Sequence, residues 1–455
     1  MKYNKLPEQQ ALRENLRKRK TQTNLRASAV HSPTLVVQPS SMINGEISVS
    51  GAKNAALPCI AASLLTKQDI VLSNVPQISD TNNIVSLIKS LGIQANFIDN
   101  HTLKINSLDI QSTKIESSYM SVMRASILIM APVLSRCGQV IISAPGGCKI
   151  GSRPIDFHLK AMESLGALIE YSEEQITLST PNGLIGAEIH FPRISVGATL
   201  SAMYGAVLAK GITKIYNYAC EPENINVINM LNAMGADIRI YDNYLEIHGV
   251  KELKSANINI IPDRIEALSY ALLCSAVSGR ITLNNASPKH CTYVLNTMQQ
   301  MGIDIETPND STIIVSRPSS TKLKNIDITT SEYPGFPTDI QAQWAILASQ
   351  AQGVSNITET IFETRFLYVS ALNSLGVKTS INNNTLSITR EHANERFNIT
   401  QPIVQATDLR SGFAMVMAAT LCNKELNIQN THHLFRGYED IENKLEKLNV
   451  NAHLK

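Results

Sequence analysis

The sequence predicts an α/β protein of two domains, each built from three copies of one β-α-β-α-β-β unit. Two observations carry this prediction: a helix–strand motif that occurs six times at a spacing near seventy residues, and an all-apolar helix before each copy. At 455 residues the chain is too long for one ordinary hydrophobic core. Six units therefore divide most naturally into three plus three.

The recurring motif is an amphipathic helix that ends in glycine or asparagine and is followed by a short strand. Its apolar residues follow the i, i+3, i+4, i+7 spacing of one helix face, and Gly or Asn is typical of a left-handed helix C-terminus. Successive markers lie 74, 69, 67, 74 and 73 residues apart. The six marker residues are Gly92, Gly166, Gly235, Gly302, Gly376 and Asn449.

A strand and an Ala-rich helix precede each marker, and paired short strands follow it. The Ala-rich helices are apolar on all sides, which indicates burial on every side. They read AALPCIAASLL, MRASILIMAPVL, VGATLSAMYGAVLA, RIEALSYALLCSAVSG, TDIQAQWAILASQAQG and LRSGFAMVMAATLCN.

The domain boundary is expected near residues 260–263, between the third and fourth copies. We predict one domain over residues 53–261 and a second over 34–52 plus 262–455, with the first strand pair crossing over to the second domain. Two connections would then join the domains, as in a clamshell that closes on its ligand. Residues 1–33 carry eight Lys or Arg and two acidic residues, and we expect a disordered basic extension there.

Composition excludes several classes of protein. No apolar run reaches the roughly 18 residues needed to span a bilayer. Seven cysteines without regular spacing argue against a disulfide framework and fit a reducing cytosol. The sequence contains no Cys-x-x-Cys or His-x-x-x-His pair, which argues against a structural metal site. It also lacks P-loop, G-x-G-x-x-G and G-x-S-x-G motifs.

The stretch SAPGGCKIGSRPIDF presents a cysteine in a glycine-rich loop between two cations. Nearby Lys149 and Arg153 favour the thiolate form of Cys148. Such a thiol suits nucleophilic or acid–base chemistry on an anionic substrate. An unreactive surface cysteine in a turn explains the stretch alone equally well.

Charged residues recur at the N-termini of the Ala-rich helices, where unpaired amides and partial positive charge attract anions. Simple N-capping is the structural alternative for Asp339 and Asp408, and surface ion pairs are the alternative for the arginines. Taken together, the cations outnumber what structural roles require and predict a substrate with phosphate and carboxylate groups. They are Lys53, Arg124, Arg153, Arg410 and Arg436.

From about residue 42 to the C-terminus the chain resembles the UDP-N-acetylglucosamine enolpyruvyl transferase family. The motifs that carry the resemblance are SGAKNAALP, MRAS, PGGCKIGSRPID, SVGAT, PDRIE, FPTDIQAQ, ITETIFETRF, ATDLR and RGYE. The resemblance implies a two-domain inside-out α/β barrel, the enolpyruvyl transferase fold, with three units per domain. It further implies a cytoplasmic enzyme with no metal or organic cofactor and no membrane or nucleic-acid partner.

The implied reaction moves the enolpyruvyl group of phosphoenolpyruvate onto the 3-hydroxyl of UDP-N-acetylglucosamine and releases phosphate, by addition and elimination. This is the first committed step of peptidoglycan synthesis. By resemblance, Asp339 is the base for the sugar hydroxyl and Lys53 a catalytic cation. Cys148 protonates phosphoenolpyruvate or forms an adduct with it, and fosfomycin-type epoxides alkylate the same thiol.

Two sets of binding residues follow from the resemblance. Those implied for phosphoenolpyruvate are Lys53, Asn54, Arg124, Arg153, Arg410 and Arg436. Those implied for the UDP-sugar are Asn54, Arg124, Arg153, Pro154, Ile155, Asp156, Phe157, Arg193, Ser195, Val196, Glu266, Asp339 and Ile361.

The chain departs from the family pattern mainly on the sugar-nucleotide side. Arg193 stands where lysine is general, Asn82 where aspartate is common, and Leu434-Phe435 where a polar residue is expected before Arg436. The acceptor therefore stays open between UDP-N-acetylglucosamine and another nucleotide or sugar. A non-catalytic binding protein on the same fold is the alternative of a different class, and a shikimate-pathway synthase is disfavoured because that family lacks the PGGC loop.

Overall fold

The structure is a computed structural model that describes residues 33–143, 155–172, 174–362, 365–399 and 401–455. Apart from Pro33, the predicted basic extension lies outside these residues, and so do Cys148, Arg153 and Pro154. Among the described helices, none is both long enough and apolar enough to cross a membrane.

Within the described ranges the chain forms 24 strands, β1 to β24 in chain order. They are Leu35–Val37, Ile43–Ser48, Asp69–Ser73, Gln94–Phe97, Leu103–Asn106, Lys114–Ile115, Gln139–Ser143, Leu168–Tyr171, Gln175–Ser179, Glu188–His190, Ile212–Tyr216, Asp237–Ile240, Tyr244–His248, Ala256–Asn259, Gly279–Asn284, Asp304–Asn309, Thr312–Arg317, Ile328–Thr329, Gly353–Thr358, Lys378–Asn382, Thr385–Arg390, Ile403–Gln405, Leu426–Gln429 and Ala452–Leu454.

The same residues form α-helices α1 to α13 and several short 3₁₀ helices. The α-helices are Lys53–Ala62, Ser79–Ser90, Ser117–Val122, Met130–Cys137, Asp156–Ser164, Val196–Ala206, Pro222–Ala233, Arg264–Val277, Pro288–Met301, Gln341–Ala348, Val369–Ser374, Leu409–Thr420 and Ile441–Lys447. The 3₁₀ helices are Ser63–Leu65, Arg124–Ile129, Thr338–Ile340 and Thr431–Arg436.

The described strands form six four-stranded sheets that share one pattern, in agreement with the six predicted units. Each sheet has one parallel pair at one edge, and its other neighbouring strands are antiparallel. The strand orders are β14-β3-β5-β4, β6-β7-β9-β8, β10-β11-β13-β12, β2-β15-β17-β16, β18-β19-β21-β20 and β22-β23-β1-β24.

Strands from distant parts of the chain close each group of three units on itself. In the first group, β14 from the end of the third unit pairs in parallel with β3 of the first unit. In the second group, β1 pairs with β23 and β24 of the sixth unit, and β2 pairs in parallel with β15 of the fourth. The N-terminal strand pair therefore belongs structurally with the second half of the chain.

Buried apolar side chains fall into two separate clusters. The N-terminal core draws on residues 52–260, and the C-terminal core draws on residues 35–49 and 265–450. The Ala-rich helices lie inside these cores; every residue of α8, for example, is buried. This distribution supports two domains over 53–261 and 34–52 plus 262–455, a division that we propose on these grounds.

Two of the Ala-rich segments begin with a 3₁₀ helix rather than an α-helix. Residues 124–129 form a 3₁₀ helix before α4, and residues 338–340 form one before α10. In the first case Pro132 has no amide hydrogen to donate to Leu128, so the α-helix begins within one turn of the proline. As a result, Arg124 and Asp339 lie in tight turns that lead into helices rather than on the helices themselves.

The two connections between the cores run side by side. Gly51 forms a β-bridge with Pro262, and the amide of Asp263 donates to the carbonyl of Ser50 at 2.9 Å. A Cβ atom at Gly51 would lie 1.7 Å from the carbonyl oxygen of Asn74, so this crossing requires glycine. The crossing delivers the next residues, at the start of α1, to the junction of the two cores.

Candidate active site

Lys53 is the first residue of α1 and lies at this junction. Its amide donates to Asp263 Oδ2 at 3.2 Å, and its Nζ lies 3.4 Å from Asp80 Oδ2. Arg436, from the C-terminal core, places its Nε 2.9 Å from Asp80 Oδ1. One buried carboxylate thus joins two of the predicted substrate-binding cations.

The ammonium of Lys53 lies in a crowded electrostatic setting. Burial lowers its pKa, Asp80 and Asp339 oppose that shift, and the nearby charges of Arg410 and Arg436 lower the pKa further. The same interactions place four of the predicted or newly found charged groups within electrostatic reach of one amine. An anion that entered this cluster would therefore favour the protonated, cationic lysine.

Asp339 forms the second charged cluster, at the base of α10. Arg365 Nη2 donates to Asp339 Oδ1 at 2.8 Å, and Arg410 Nε lies 3.6 Å from the same oxygen. The side chain of Asp339 is 29% exposed, whereas that of Arg410 is 4% exposed. The carboxylate therefore remains partly open to solvent, while its partner Arg410 is buried.

Two opposing effects act on the pKa of Asp339. Burial favours the neutral acid, but the charges of Arg410 and Arg365, the hydrogen bond from Arg365 and the charge of Lys53 outweigh it. The net result holds the pKa well below the ordinary aspartate value. Asp339 is thus an ionised carboxylate at any pH near neutrality, which is the form that a general base requires.

The turn that carries Asp339 is fixed by Glu359, a fully buried carboxylate. Glu359 Oε1 accepts hydrogen bonds from the amides of Ile361 at 2.8 Å and Phe362 at 2.9 Å. Its Oε2 accepts from Thr338 Oγ1 at 2.9 Å. One acid therefore anchors both the Asp339 turn and the loop that presents Ile361.

The residues implied for the uridine end and the diphosphate lie around the starts of α5 and α6. Ile155 precedes α5, and Asp156 and Phe157 open it. The guanidinium of Arg193 lies 5.6 Å from the ring centroid of Phe157, a cation–π contact. Beside this pair, a cavity of about 280 Å³ is lined by Phe157, Lys160, His190 and Phe191, among others.

Ser195 and Val196 lie at the N-terminus of α6. Ser195 Oγ accepts a hydrogen bond from the amide of Ala198 at 3.4 Å, which makes Ser195 the N-cap. A Cβ atom at Gly197 would lie 2.8 Å from His158, so the helix start and the imidazole are in close contact. The exposed N-terminus of this 11-residue helix suits an anionic group.

Arg124 lies on the same side of the N-terminal core. His158 Nδ1 is 2.8 Å from Ser201 Oγ, and its pKa falls to about 4 because of burial and the nearby charge of Arg124, with Asp156 opposing. His158 is therefore neutral near pH 7 and adds no positive charge beside Arg124. The prediction that Arg124 contributes to both substrate sites stays a prediction.

Glu266 is not brought into either cluster. Its Oε1 accepts from Lys444 Nζ at 2.6 Å and its Oε2 accepts from the amide of Ser50 at 2.8 Å. Burial raises its pKa, and the charge and hydrogen bond of Lys444 only partly offset this. Both oxygens are engaged within the protein, although the implied contact with the sugar is otherwise untested.

The remaining predicted positions are distributed as follows. Asn54 follows Lys53 on α1 and is half-buried. Asp408 is an N-cap, since its Oδ1 accepts from the amides of Arg410 at 2.7 Å and Ser411 at 3.0 Å. Asn82 is exposed on α2, and Leu434 is buried against α12, so these two departures do not line the charged clusters.

Three acidic or basic side chains at the site were missed from the sequence: Asp80, Arg365 and Glu359. Arg365 and Glu359 lie within the ITETIFETRF motif, but the sequence does not indicate which residues they contact. Asp80 lies in a polar stretch at the start of an amphipathic helix, where N-terminal acids are common for electrostatic reasons alone. Within the described part of the chain, no three or more His, Cys, Asp or Glu side chains form a cluster that could hold a metal ion.

Comparison with known proteins relates the chain to a family of carboxyvinyltransferases. Residues 37–445 match the family described as EPSP synthase (3-phosphoshikimate 1-carboxyvinyltransferase). A UDP-N-acetylglucosamine 1-carboxyvinyltransferase of Wolinella succinogenes is 42% identical over 89% of this chain and 95% of its own length. One from Bartonella quintana is 39% identical over 89% and 95%, respectively.

Solved structures extend the comparison to the fold. The enolpyruvyl transferase NikO from Streptomyces tendae has a TM-score of 0.82 at 20% identity and covers 93% of this chain and 99% of its own. EPSP synthase from Acinetobacter baumannii has a TM-score of 0.73 at 16% identity, with 93% and 100% covered. The predicted enolpyruvyl transferase fold is confirmed. With its six closed units and its long matches to carboxyvinyltransferases, the chain belongs to the EPSP synthase family and, within it, to the UDP-N-acetylglucosamine 1-carboxyvinyltransferases.

Proposed function

We propose that this enzyme transfers the enolpyruvyl group of phosphoenolpyruvate to the 3-hydroxyl of UDP-N-acetylglucosamine and releases phosphate, the first committed step of peptidoglycan synthesis in the cytoplasm. The observation that carries the proposal is one ionised and partly exposed carboxylate, Asp339, set among largely buried cations. Its relatives' names specify both the transferred group and the acceptor.

The donor fits the charged clusters because it carries a phosphate and a carboxylate. Lys53, Arg410 and Arg436 can hold these groups, and the planar guanidinium groups can do so through paired hydrogen bonds. Arg124 and Arg153 complete the proposed donor set, Arg153 by resemblance alone. When the C–O bond to phosphate breaks in the elimination step, the same cations stabilise the charge that develops on the departing phosphate.

Asp339 is proposed to accept the proton of the sugar 3-hydroxyl. Arg365 and Arg410 keep it ionised but also make it a weak base, because they hold its pKa low. An anionic donor bound to the same cations offsets their charge and raises the pKa of Asp339 toward the range of an effective base. Proton removal is thereby coupled to the presence of phosphoenolpyruvate.

The acceptor is proposed to lie with its uridine end at the start of α5 and its diphosphate near the start of α6. Phe157 offers an aromatic face beside Arg193, while Ser195 and Val196 present helix amides to an anion. Asn54 and Ile361 would contact the sugar. Arg193 supplies a positive charge with a planar group in the place where the family generally has lysine.

Cys148 is proposed as the residue that protonates the donor or forms an adduct with it, and as the site of alkylation by fosfomycin-type epoxides. Incubation with fosfomycin should add one equivalent to the peptide that contains Cys148, as measured by mass spectrometry. An unmodified Cys148 peptide after complete inactivation would contradict this assignment.

Phosphate release by the purified full chain tests the proposed function. We expect release that requires both phosphoenolpyruvate and UDP-N-acetylglucosamine, with a product heavier by one enolpyruvyl group. If phosphate were released only with a different sugar nucleotide, the proposed acceptor would be wrong and the proposed enolpyruvyl transfer would stand. No release with any sugar nucleotide would favour a non-catalytic binding protein.

A further inference from the structure

Asp80 is a buried carboxylate that lies between two cations proposed to bind the donor. It occupies the first turn of α2 and is 2% exposed. Its Oδ2 lies 3.4 Å from Lys53 Nζ, and its Oδ1 accepts a hydrogen bond from Arg436 Nε at 2.9 Å. A second guanidinium nitrogen, Nη2 of Arg436, lies 3.5 Å from Oδ2.

The two cations come from different halves of the molecule. Lys53 opens α1 beside the N-terminal core, whereas Arg436 ends a 3₁₀ helix that packs on the C-terminal core. A buried carboxylate is stable only when paired, and two buried cations close together repel each other unless an anion separates them. Asp80 meets both requirements with one side chain.

We propose that Asp80 is a positioning residue that holds Lys53 and Arg436 at a fixed separation and keeps Lys53 charged for phosphoenolpyruvate. This role goes beyond the proposed function, on which it rests for the identity of the donor. Asp80 itself is not proposed to touch the donor.

The charge of Lys53 depends on groups from every element around it. Asp80 and Asp339 favour the protonated amine, Arg410 and Arg436 disfavour it, and burial disfavours it most. Asp263 accepts the backbone amide of Lys53 at 3.2 Å and adds negative charge at the start of α1. Since Asp80 is the acid nearest to Nζ, its neutralisation removes the strongest support for the cation.

A second contact between the same two segments provides a matched control. Glu439, three residues after Arg436, accepts the amide of Gln77 at 2.8 Å and lies 3.5 Å from His101 Nδ1. This contact joins the two halves near Asp80 but touches neither Lys53 nor Arg436 through any described bond. Substitution of Glu439 therefore measures the effect of weakening the contact between the halves. Substitution of Asp80 measures that effect together with the effect on Lys53 and Arg436.

The test compares the full-chain variants Asp80→Asn, Asp80→Glu and Glu439→Gln in steady-state phosphate release over a range of pH. For Asp80→Asn we expect kcat/KM for phosphoenolpyruvate to fall about 10- to 100-fold, because a charged hydrogen-bond partner is lost. The alkaline limb of its pH profile for kcat/KM should move to lower pH. The KM for UDP-N-acetylglucosamine should stay within about twofold of the wild type. Asp80→Glu should recover part of the loss, and Glu439→Gln should leave the alkaline limb in place.

A second measurement needs no turnover and keeps the proposal testable if the chain proves to have another substrate. A small amine-reactive acylating reagent is used, and the rate at which Lys53 is acylated is measured by mass spectrometry as a function of pH. The wild type and Asp80→Glu, which both carry the charge, are compared with Asp80→Asn. We expect Lys53 of Asp80→Asn to become reactive at lower pH. Equal profiles in all variants, or an equal loss of kcat/KM in Glu439→Gln, would overturn the proposal.

Discussion

Asp339 and Glu266 are both acids at the start of a buried helix, both paired with cations, and both implied in acceptor binding, yet their environments differ. Asp339 is 29% exposed and faces two arginines, whereas Glu266 is 2% exposed and faces one lysine. The pKa of Asp339 is lowered, and the pKa of Glu266 is raised. The number of cations and the access to solvent therefore distinguish the carboxylate that is proposed to react from the one whose two oxygens are bonded within the protein.

The structural consequence is that Glu266 fastens two distant segments. Through its two oxygens it connects Lys444 on α13 with Ser50, just before the crossing between the cores. Asp339 makes no comparable pair of bonds across the described chain, since its two cationic partners bind the same oxygen. One oxygen of Asp339 is thus left for a substrate.

The largest expected effect is on catalysis by Asp339→Asn. This substitution keeps the shape and removes the base, so kcat should fall roughly 10²- to 10⁴-fold. Phosphate release measured beside the wild type checks the result. A variant with wild-type kcat would show that another group accepts the proton.

The next effect is on stability in Glu266→Gln. Loss of one member of a buried ion pair leaves Lys444 charged without its partner, which can cost about 3–5 kcal/mol. Because burial already disfavours the ionised form of Glu266, the free energy of unfolding should fall by less than this. Urea denaturation measures this change, and Asp339→Asn, at a more exposed acid, is the comparison. If Asp339→Asn proved the more destabilising of the two, the contrast between the two sites would be wrong.

The two acids should also differ in how stability depends on pH. The raised pKa of Glu266 means that its contribution is full below the unfolded value near ~4.3 and is lost as pH rises from there toward the folded pKa. The lowered pKa of Asp339 means that its contribution is full above ~3.9 and is lost as pH falls below that value. Unfolding free energies of the wild type minus each variant, measured from acid to neutral pH, should therefore change in opposite directions.

The smallest expected effect concerns Arg193, which is proposed to lie on the diphosphate side of the acceptor. Arg193→Lys keeps the charge but weakens the contact with Phe157, worth about 0.5–1 kcal/mol at an exposed site. The KM for UDP-N-acetylglucosamine should rise a few-fold and kcat should not change. A large fall in kcat would mean that Arg193 acts in the chemistry rather than in binding.

Much of the fold was predictable because each sequence pattern, weak in a single copy, occurs six times at similar spacing. Six helix-ending markers and six all-apolar helices correctly predicted six sheets, and the left-handed residues are as expected from Gly92 to Asn449. The helix starts at Arg124 and Asp339 were not predicted, because 3₁₀ turns arise from local backbone hydrogen bonding that periodicity does not encode.

Less of the site was predictable, since charge pairing depends on which distant segments meet. The sequence predicted that Lys53, Arg410 and Arg436 bind an anionic substrate. It did not indicate that Asp80 lies between Lys53 and Arg436. It likewise placed Asp339 at a helix start without the arginine from residue 365 that holds it ionised. Such partners lie 26 to 356 residues apart in the chain, beyond any local pattern.

We propose that Asp339 performs the proton transfer and is not needed to hold the acceptor. The most direct measurement combines calorimetric binding of UDP-N-acetylglucosamine to Asp339→Asn with a single-turnover assay for the enolpyruvyl product. We predict binding within about tenfold of the wild type, the loss expected for one hydrogen bond to a charged group, and no product on the wild-type time scale. Product formed at the wild-type rate, or binding lost entirely, would contradict the claim.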